Sequence, residues 1–240
     1  MKTAHPLLTA GIALAAVVAT LSAGSHSAFI WLHYLCKPLA TLLILALAWK
    51  TAAPISLRYR KLIAAALILC ACGDSFLMLP AEAYAYGFVS GLGSFLIAHL
   101  FFLRALSSDS TLFGKPLAPC VYGLLSALNV AILWDAIPAA LHGPVLAYVG
   151  CLTAMAAQAA SRALDLRNAG SRRAALGGAL FLLSDTLIAY DRFHQPLPAA
   201  ELWILGTYYL SIYLLARSVT QSAPIAASIV APAPKKTPAG

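Results

Sequence analysis

The chain has 240 residues, 61% of them apolar and only 10% charged, against about 25% charged in an ordinary globular domain. That leaves too little polar surface to clothe a soluble domain, and it excludes disordered and fibrous architectures as well. The formal net charge of +8 comes from 16 Lys and Arg against 8 Asp and Glu, set in short gaps between apolar runs. With no basic stripe interleaved with aromatics, it points to membrane topology and anionic lipid headgroups rather than nucleic acid.

A helix needs about 20 apolar residues to cross hydrocarbon. Eight runs meet that need, at about 6–23, 29–49, 62–80, 84–104, 117–134, 138–161, 174–191 and 201–219. Aromatic residues such as Trp31, Trp49, Tyr84, Trp134 and Trp203 mark their ends, as interfacial residues do. None alternates every second residue, so a barrel is excluded. The expectation is an all-α, polytopic integral membrane bundle of about eight transmembrane helices over residues 1–221. The first run resembles a secretory signal, with Lys2 before it and Ser25-His26-Ser27-Ala28 after it. Its apolar core, Leu7 to about Ala23, is longer than most signal cores, which favours a retained helix. Residues 222–240, rich in Ala and Pro, read as a disordered tail.

The basic residues orient the bundle. Lys2, Lys50, Arg58, Arg60, Lys61, Arg104, Lys115, Arg162, Arg167, Arg172, Arg173, Arg217, Lys235 and Lys236 fall on one side, and Arg192 alone on the other. Fourteen to one places both termini in the cytoplasm, with the bundle in the inner or plasma membrane if the source is bacterial. The five cysteines lie mostly inside apolar runs; Cys70 and Cys72 point in different directions on a helix, and none suggests a disulfide or metal.

An ionisable residue inside a span costs at least about 2.5 kcal/mol on insertion scales, so each asks for a reason. Lys37, Asp74, His99 and Asp185 are the clear cases. Asp74 and Asp185 each lie about six residues from the outer end of a span, so both carboxyls sit about 9 Å below the boundary at about 1.5 Å per residue. Lys37, Asn129, Tyr208 and Tyr209 fall at nearly the same depth, while His99 is deeper. A purely structural Lys37–Asp ion pair is the bland account; five helices bringing polar groups to one layer argue for a polar cavity open to the outer side.

Two short matches hint at internal duplication. Gly73-Asp74-Ser75-Phe76-Leu77 resembles Ser184-Asp185-Thr186-Leu187-Ile188, 111 residues on, and Leu92-Gly93-Ser94-Phe95 resembles Leu205-Gly206-Thr207-Tyr208, 113 residues on. Equal span direction makes this a parallel four-plus-four pattern, with the aspartates facing across a pseudo-twofold axis. No phosphate loop, nucleophile elbow or His-x-x-x-His metal spacing occurs, so neither metal nor cofactor is expected.

Lys37-Pro38-Leu39, Gly73-Asp74, Gly91…Phe95…His99, Gly178-Ala179-Leu180-Phe181…Ser184-Asp185 and Thr207-Tyr208-Tyr209 together resemble the YhhN-type lysoplasmalogenase family over about residues 28–217. Two positions depart from the pattern: Phe102 stands where a tyrosine is expected, and Ile212-Tyr213 where a glutamine is. The resemblance implies a lysophospholipid substrate drawn from membrane lipids. The implied activity is hydrolysis of the vinyl-ether bond of lysoplasmalogen to a fatty aldehyde and a glycerophospho-base.

Such hydrolysis needs a protonated carboxyl to deliver a proton to carbon and an ionised one to steady the oxocarbenium ion or orient water. Neighbouring carboxyls divide those labours, as they do in glycoside hydrolysis. Asp74 and Asp185 are the candidate pair, with the acid undecided between them. Lys37 either holds the headgroup phosphate or pairs with an aspartate; Tyr208, Tyr209, Asn129 and His99 are candidate substrate-binding groups. Paired intramembrane carboxyls and a parallel repeat suit a proton-coupled transporter of a small or amphiphilic solute as the alternative.

Overall fold

The computed structural model describes residues 6–23, 29–80 and 82–221. The expected tail at 222–240 and the signal-like stretch at 25–28 lie outside them. Eight α-helices form the molecule: α1 (Pro6–Leu21), α2 (Ile30–Trp49), α3 (Leu57–Met78), α4 (Gly87–Leu106), α5 (Leu117–Leu133), α6 (His142–Leu166), α7 (Ala169–Phe193) and α8 (Ala200–Arg217). Short 3-10 turns at Trp134–Ala136 and Ala139–Leu141 join α5 to α6.

Six of these segments, α2 to α7, are long and apolar enough to cross a membrane. The chain is a polytopic membrane bundle. The first and last helices fall outside this set: α1 has 16 residues and α8 has 18, or about 24 and 27 Å at about 1.5 Å per residue, against about 30 Å of hydrocarbon. α8 also carries Glu201, Thr207, Tyr208, Tyr209, Ser211 and Arg217, which dilute its apolar character. Leucines such as Leu14, Leu42, Leu124, Leu176 and Leu210 stand exposed on the outer surface, where lipid rather than water is the matching solvent.

Local chemistry sets the helix ends. The Ser56 hydroxyl accepts from the Tyr59 N–H, so α3 begins five residues before its apolar run does. α7 likewise starts at Ala169 because Asn168 and Ser171 form a capping box, each side chain accepting from the other's backbone N–H. Just before it, Arg167 takes a left-handed conformation (φ 50°), ending α6 and making the turn abrupt.

Among the described residues every consecutive pair of helices packs closely together except α4 and α5, and α4–α6 and α2–α8 contacts close the bundle. The neighbours of one half recur in the other: α1–α2 with α5–α6, α2–α3 with α6–α7, α3–α4 with α7–α8, and α4–α6 with α8–α2. Close approach of α7 and α8 depends on Gly177, where a Cβ would stand 2.9 Å from the Ser211 carbonyl oxygen.

One end of the bundle is tied by buried polar contacts. Arg162, 1% exposed, makes a bidentate pair with Asp109 (2.7 and 2.6 Å) and lies 5.2 Å over the Tyr59 ring. Tyr59 and Ser218 hydroxyls hydrogen-bond at 2.8 Å, joining α3 to the end of α8. Backbone bonds from Ile55 to Val219 and from Gln221 to Ala53, both 2.9 Å, add a short antiparallel seam. The Gln158 carbonyl accepts from the Phe113 N–H at 2.7 Å, fastening the α4–α5 connection to α6.

Candidate active site

Three helices converge on Asp74, which is 2% exposed. Its Oδ2 accepts hydrogen bonds from the Thr41 hydroxyl of α2 (3.0 Å) and the Tyr208 hydroxyl of α8 (2.7 Å), while the Lys37 Nζ lies 3.9 Å from Oδ1. Thr41 stands one helical turn beyond Lys37, so one face of α2 presents both groups to α3. Both oxygens are therefore engaged by donors or a cation, which is the environment of a carboxylate.

Asp185 is partnered differently. It is half-buried on α7 and receives the Tyr148 hydroxyl of α6 on Oδ2. Among the described residues no cation stands within ion-pair distance of it. Its neighbour Ser184 donates to the Ile204 carbonyl at 3.0 Å, fixing the rotation of α7 against α8.

Both aspartates line a cavity of about 150 Å³. Its floor is polar, formed by Lys37, Asp74, Tyr148, Ser184, Asp185 and Tyr208. Its walls are apolar, with Leu92, Val130, Leu133, Val149 and Ile188 among them, and it extends to Phe88, Ile137 and Phe193 at one end of the bundle. That end is opposite the Arg162–Asp109 tie. A largely apolar pocket with a few convergent polar groups is the usual form of a small-molecule site. The walls draw residues from both α4 and α5, which pack on α6 rather than closely on each other among the described residues.

Of the residues singled out from sequence, Lys37, Asp74, Asn129, Asp185 and Tyr208 line the cavity. Asn129 does so with its amide donating to the Leu125 carbonyl of its own helix at 2.8 Å. His99 and Tyr209 stand outside the lining. His99 is fully buried against the edges of Tyr148 (5.3 Å) and Phe181 (4.6 Å), with neither ring nitrogen hydrogen-bonded among the described residues. Tyr209 packs 5.4 Å from the Tyr208 ring, and its hydroxyl is buried without a partner among the described residues. The departures Phe102 and Ile212 are fully buried in the core, away from the cavity.

Sequence reading missed Thr41 and Tyr148, and quoted Ser184 only as part of a motif. For Tyr148 a signal existed: it precedes Asp185 by 37 residues, the same interval that separates Lys37 from Asp74. The same spacing thus sets a lysine beside one aspartate and a tyrosine beside the other. Among the described residues no group of three His, Cys, Asp or Glu side chains is placed to hold a metal ion.

Comparison with known proteins identifies the family. The YhhN family's sequence profile matches residues 32–219. Lysoplasmalogenase TMEM86B of Homo sapiens is 34% identical over 198 residues, covering 80% of this chain and 77% of that protein. Lysoplasmalogenase TMEM86A of Homo sapiens is 33% identical over 65% of this chain and 64% of its own length. The membrane protein YhhN of Escherichia coli O157:H7 is 27% identical over 79% of this chain and 88% of its own. No solved structure matches. The profile spans the whole helical region that builds the cavity, and the chain belongs to the YhhN family.

Proposed function

We propose that the chain is a membrane hydrolase that cleaves the vinyl-ether bond of lysoplasmalogen, releasing a fatty aldehyde and a glycerophospho-base. The observation that carries this reading is the unequal partnering of two carboxyls on the floor of one apolar cavity. The relatives named lysoplasmalogenase support the reaction class.

Asp185, with one phenol donor and no cation among the described residues, is the general acid. Its proton passes to the vinyl carbon remote from oxygen, leaving an oxocarbenium ion at the carbon bonded to oxygen. Asp74, held as a carboxylate by Lys37, Thr41 and Tyr208, stabilises that cation and orients the water that captures it. The Asp185 carboxylate takes the proton released by that water and passes it to the glycerol oxygen; the C–O bond of the hemiacetal then breaks, the hydroxyl proton returns to Asp185, and the aldehyde is freed. His99 and Tyr209 act behind the site, backing Tyr148 and Tyr208, while Asn129 shapes the wall.

On this reading all eight helices cross the bilayer as a parallel four-plus-four duplication, both termini are cytoplasmic, and the cavity opens toward the outer face. The α4–α5 gap admits the hydrocarbon chain from the lipid. A proton-coupled transporter is favoured by the repeated packing of the two halves. The buried tie at the opposite end, through Arg162, Asp109 and the Ile55–Val219 seam, favours a one-sided site over alternating access.

The test is fatty-aldehyde release from choline or ethanolamine lysoplasmalogen by detergent-purified protein, with Asp74→Asn and Asp185→Asn beside it and folding checked by thermal unfolding. Aldehyde from wild type alone is expected. Gradient-driven uptake into sealed vesicles without aldehyde in detergent would replace the hydrolase with the transporter.

A further inference from the structure

Arg192 is the only Lys or Arg that the sequence places on the outer side of the bundle. It follows Asp185 on α7 by seven residues, two turns on nearly the same face, or about 10 Å along the axis at about 1.5 Å per residue. Its guanidinium carbon lies 3.8 Å from the centre of the Phe88 ring. Phe88, in the first turn of α4, lines the cavity and packs edge-on to Phe193 at 6.2 Å. The charge is thus perched on an aromatic rim where the cavity reaches the end of the bundle.

That perch leaves the N–H groups of Arg192 free. Among the described residues it has no ion pair and no hydrogen bond, and the adjacent Asp191 carboxylate instead accepts from the Leu197 N–H at 2.8 Å. A guanidinium held over a ring face by cation–π attraction spends none of its N–H donors there, so its fork stays available for a phosphate. Lys37, which lines the cavity, is engaged with Asp74.

We infer that Arg192, seated on Phe88, is the headgroup subsite of the cavity and binds the phosphodiester of a glycerophospholipid substrate. The inference rests on the hydrolase reading for the identity of that substrate. The glycerol backbone then spans the interval between Arg192 and Asp185, placing the ether carbon over the two carboxyls and the alkyl chain toward the α4–α5 gap. Phosphate recognition is thereby separated from catalysis. Arg192 raises affinity for phosphate-bearing substrates without taking part in proton transfer.

Two measurements test this, one of which needs no turnover. Binding of a saturated alkyl-ether lysophosphocholine, which has no vinyl ether to cleave, is measured by thermal stabilisation of wild type, Arg192→Gln, Arg192→Lys and Phe88→Leu. Arg192→Gln is expected to weaken binding about ten- to hundredfold, the worth of a charge-assisted contact, with Arg192→Lys and Phe88→Leu intermediate. In the aldehyde assay, Arg192→Gln is expected to raise KM by a similar factor for lysoplasmalogen and leave kcat unchanged. With a neutral alkenylglycerol lacking phosphate, wild type and Arg192→Gln should have equal KM. Unchanged ether-lipid affinity in a folded Arg192→Gln protein, or an equal KM rise with the neutral substrate, overturns the subsite. Arg192-dependent binding with no aldehyde from wild type would instead overturn the hydrolase reading and leave the subsite standing.

Discussion

Removing the ammonium of Lys37 tests the electrostatics of the floor independently of any activity. The Lys37 Nζ stands 3.9 Å from Asp74 Oδ1, and the two residues are 8% and 2% exposed. At that separation the Coulomb attraction is about 4 kcal/mol for an effective dielectric of about 20. Lys37→Met leaves the carboxylate with the Thr41 and Tyr208 hydroxyls only. Breaking a buried pair in this way costs about 3–5 kcal/mol, because the survivor is left uncompensated. Asp74→Asn strands the lysine in turn. The double variant Lys37→Met/Asp74→Asn buries no charge and keeps an amide oxygen to accept from Tyr208, so it should recover most of the loss. A double-mutant cycle read by reversible unfolding in mixed micelles is expected to give a coupling of about 2–4 kcal/mol, since an orphaned group can shed charge by titrating. If the two single losses add to within about 0.5 kcal/mol, the pair carries no net interaction and the assignment of Asp74 as the ion-paired carboxylate fails.

Tyr148→Phe removes the one hydroxyl on Asp185 and keeps the ring against His99. Steady-state aldehyde assays should show kcat down about ten- to hundredfold with little change in unfolding midpoint. Gly177→Ala drives a methyl to 2.9 Å from the Ser211 carbonyl and 3.2 Å from the Leu215 nitrogen. Because those are backbone atoms, α7 and α8 must part, costing about 1–3 kcal/mol in an unfolding titration. Asp109→Ala leaves Arg162 buried without its carboxylate. A loss of about 3 kcal/mol is expected, largely restored by adding Arg162→Met, while the cavity-facing chemistry of surviving folded protein stays intact.

The helices were legible because charge is scarce and apolar runs are long, but their ends were not. α3 and α7 begin earlier than hydropathy indicates because Ser56 and Asn168 cap residues that no apolar scale rewards. Lys37, Asp74, Asp185 and Tyr208 stood out because polarity at membrane depth demands a partner, and the structure supplies one for each. Depth does not settle rotation. Tyr208 and Tyr209 share a layer but point about 100° apart on a helix, so one reaches the cavity and the other packs behind it. His99 shows the same gap between polarity and placement, its ring buried among aromatics outside the lining. Thr41 and Tyr148 escaped notice because threonine and tyrosine are unremarkable in apolar helices. Only the repeated 37-residue interval between partner and aspartate singles Tyr148 out.

Proton delivery to carbon by Asp185 is tested most directly by running the lysoplasmalogen reaction in heavy water and analysing the aldehyde by mass spectrometry. The expected product from wild type carries a single deuterium on the carbon next to the aldehyde group, with the rate slowed by a solvent isotope effect and abolished in Asp185→Asn. Aldehyde without deuterium at that carbon, or undiminished release from Asp185→Asn, would contradict it.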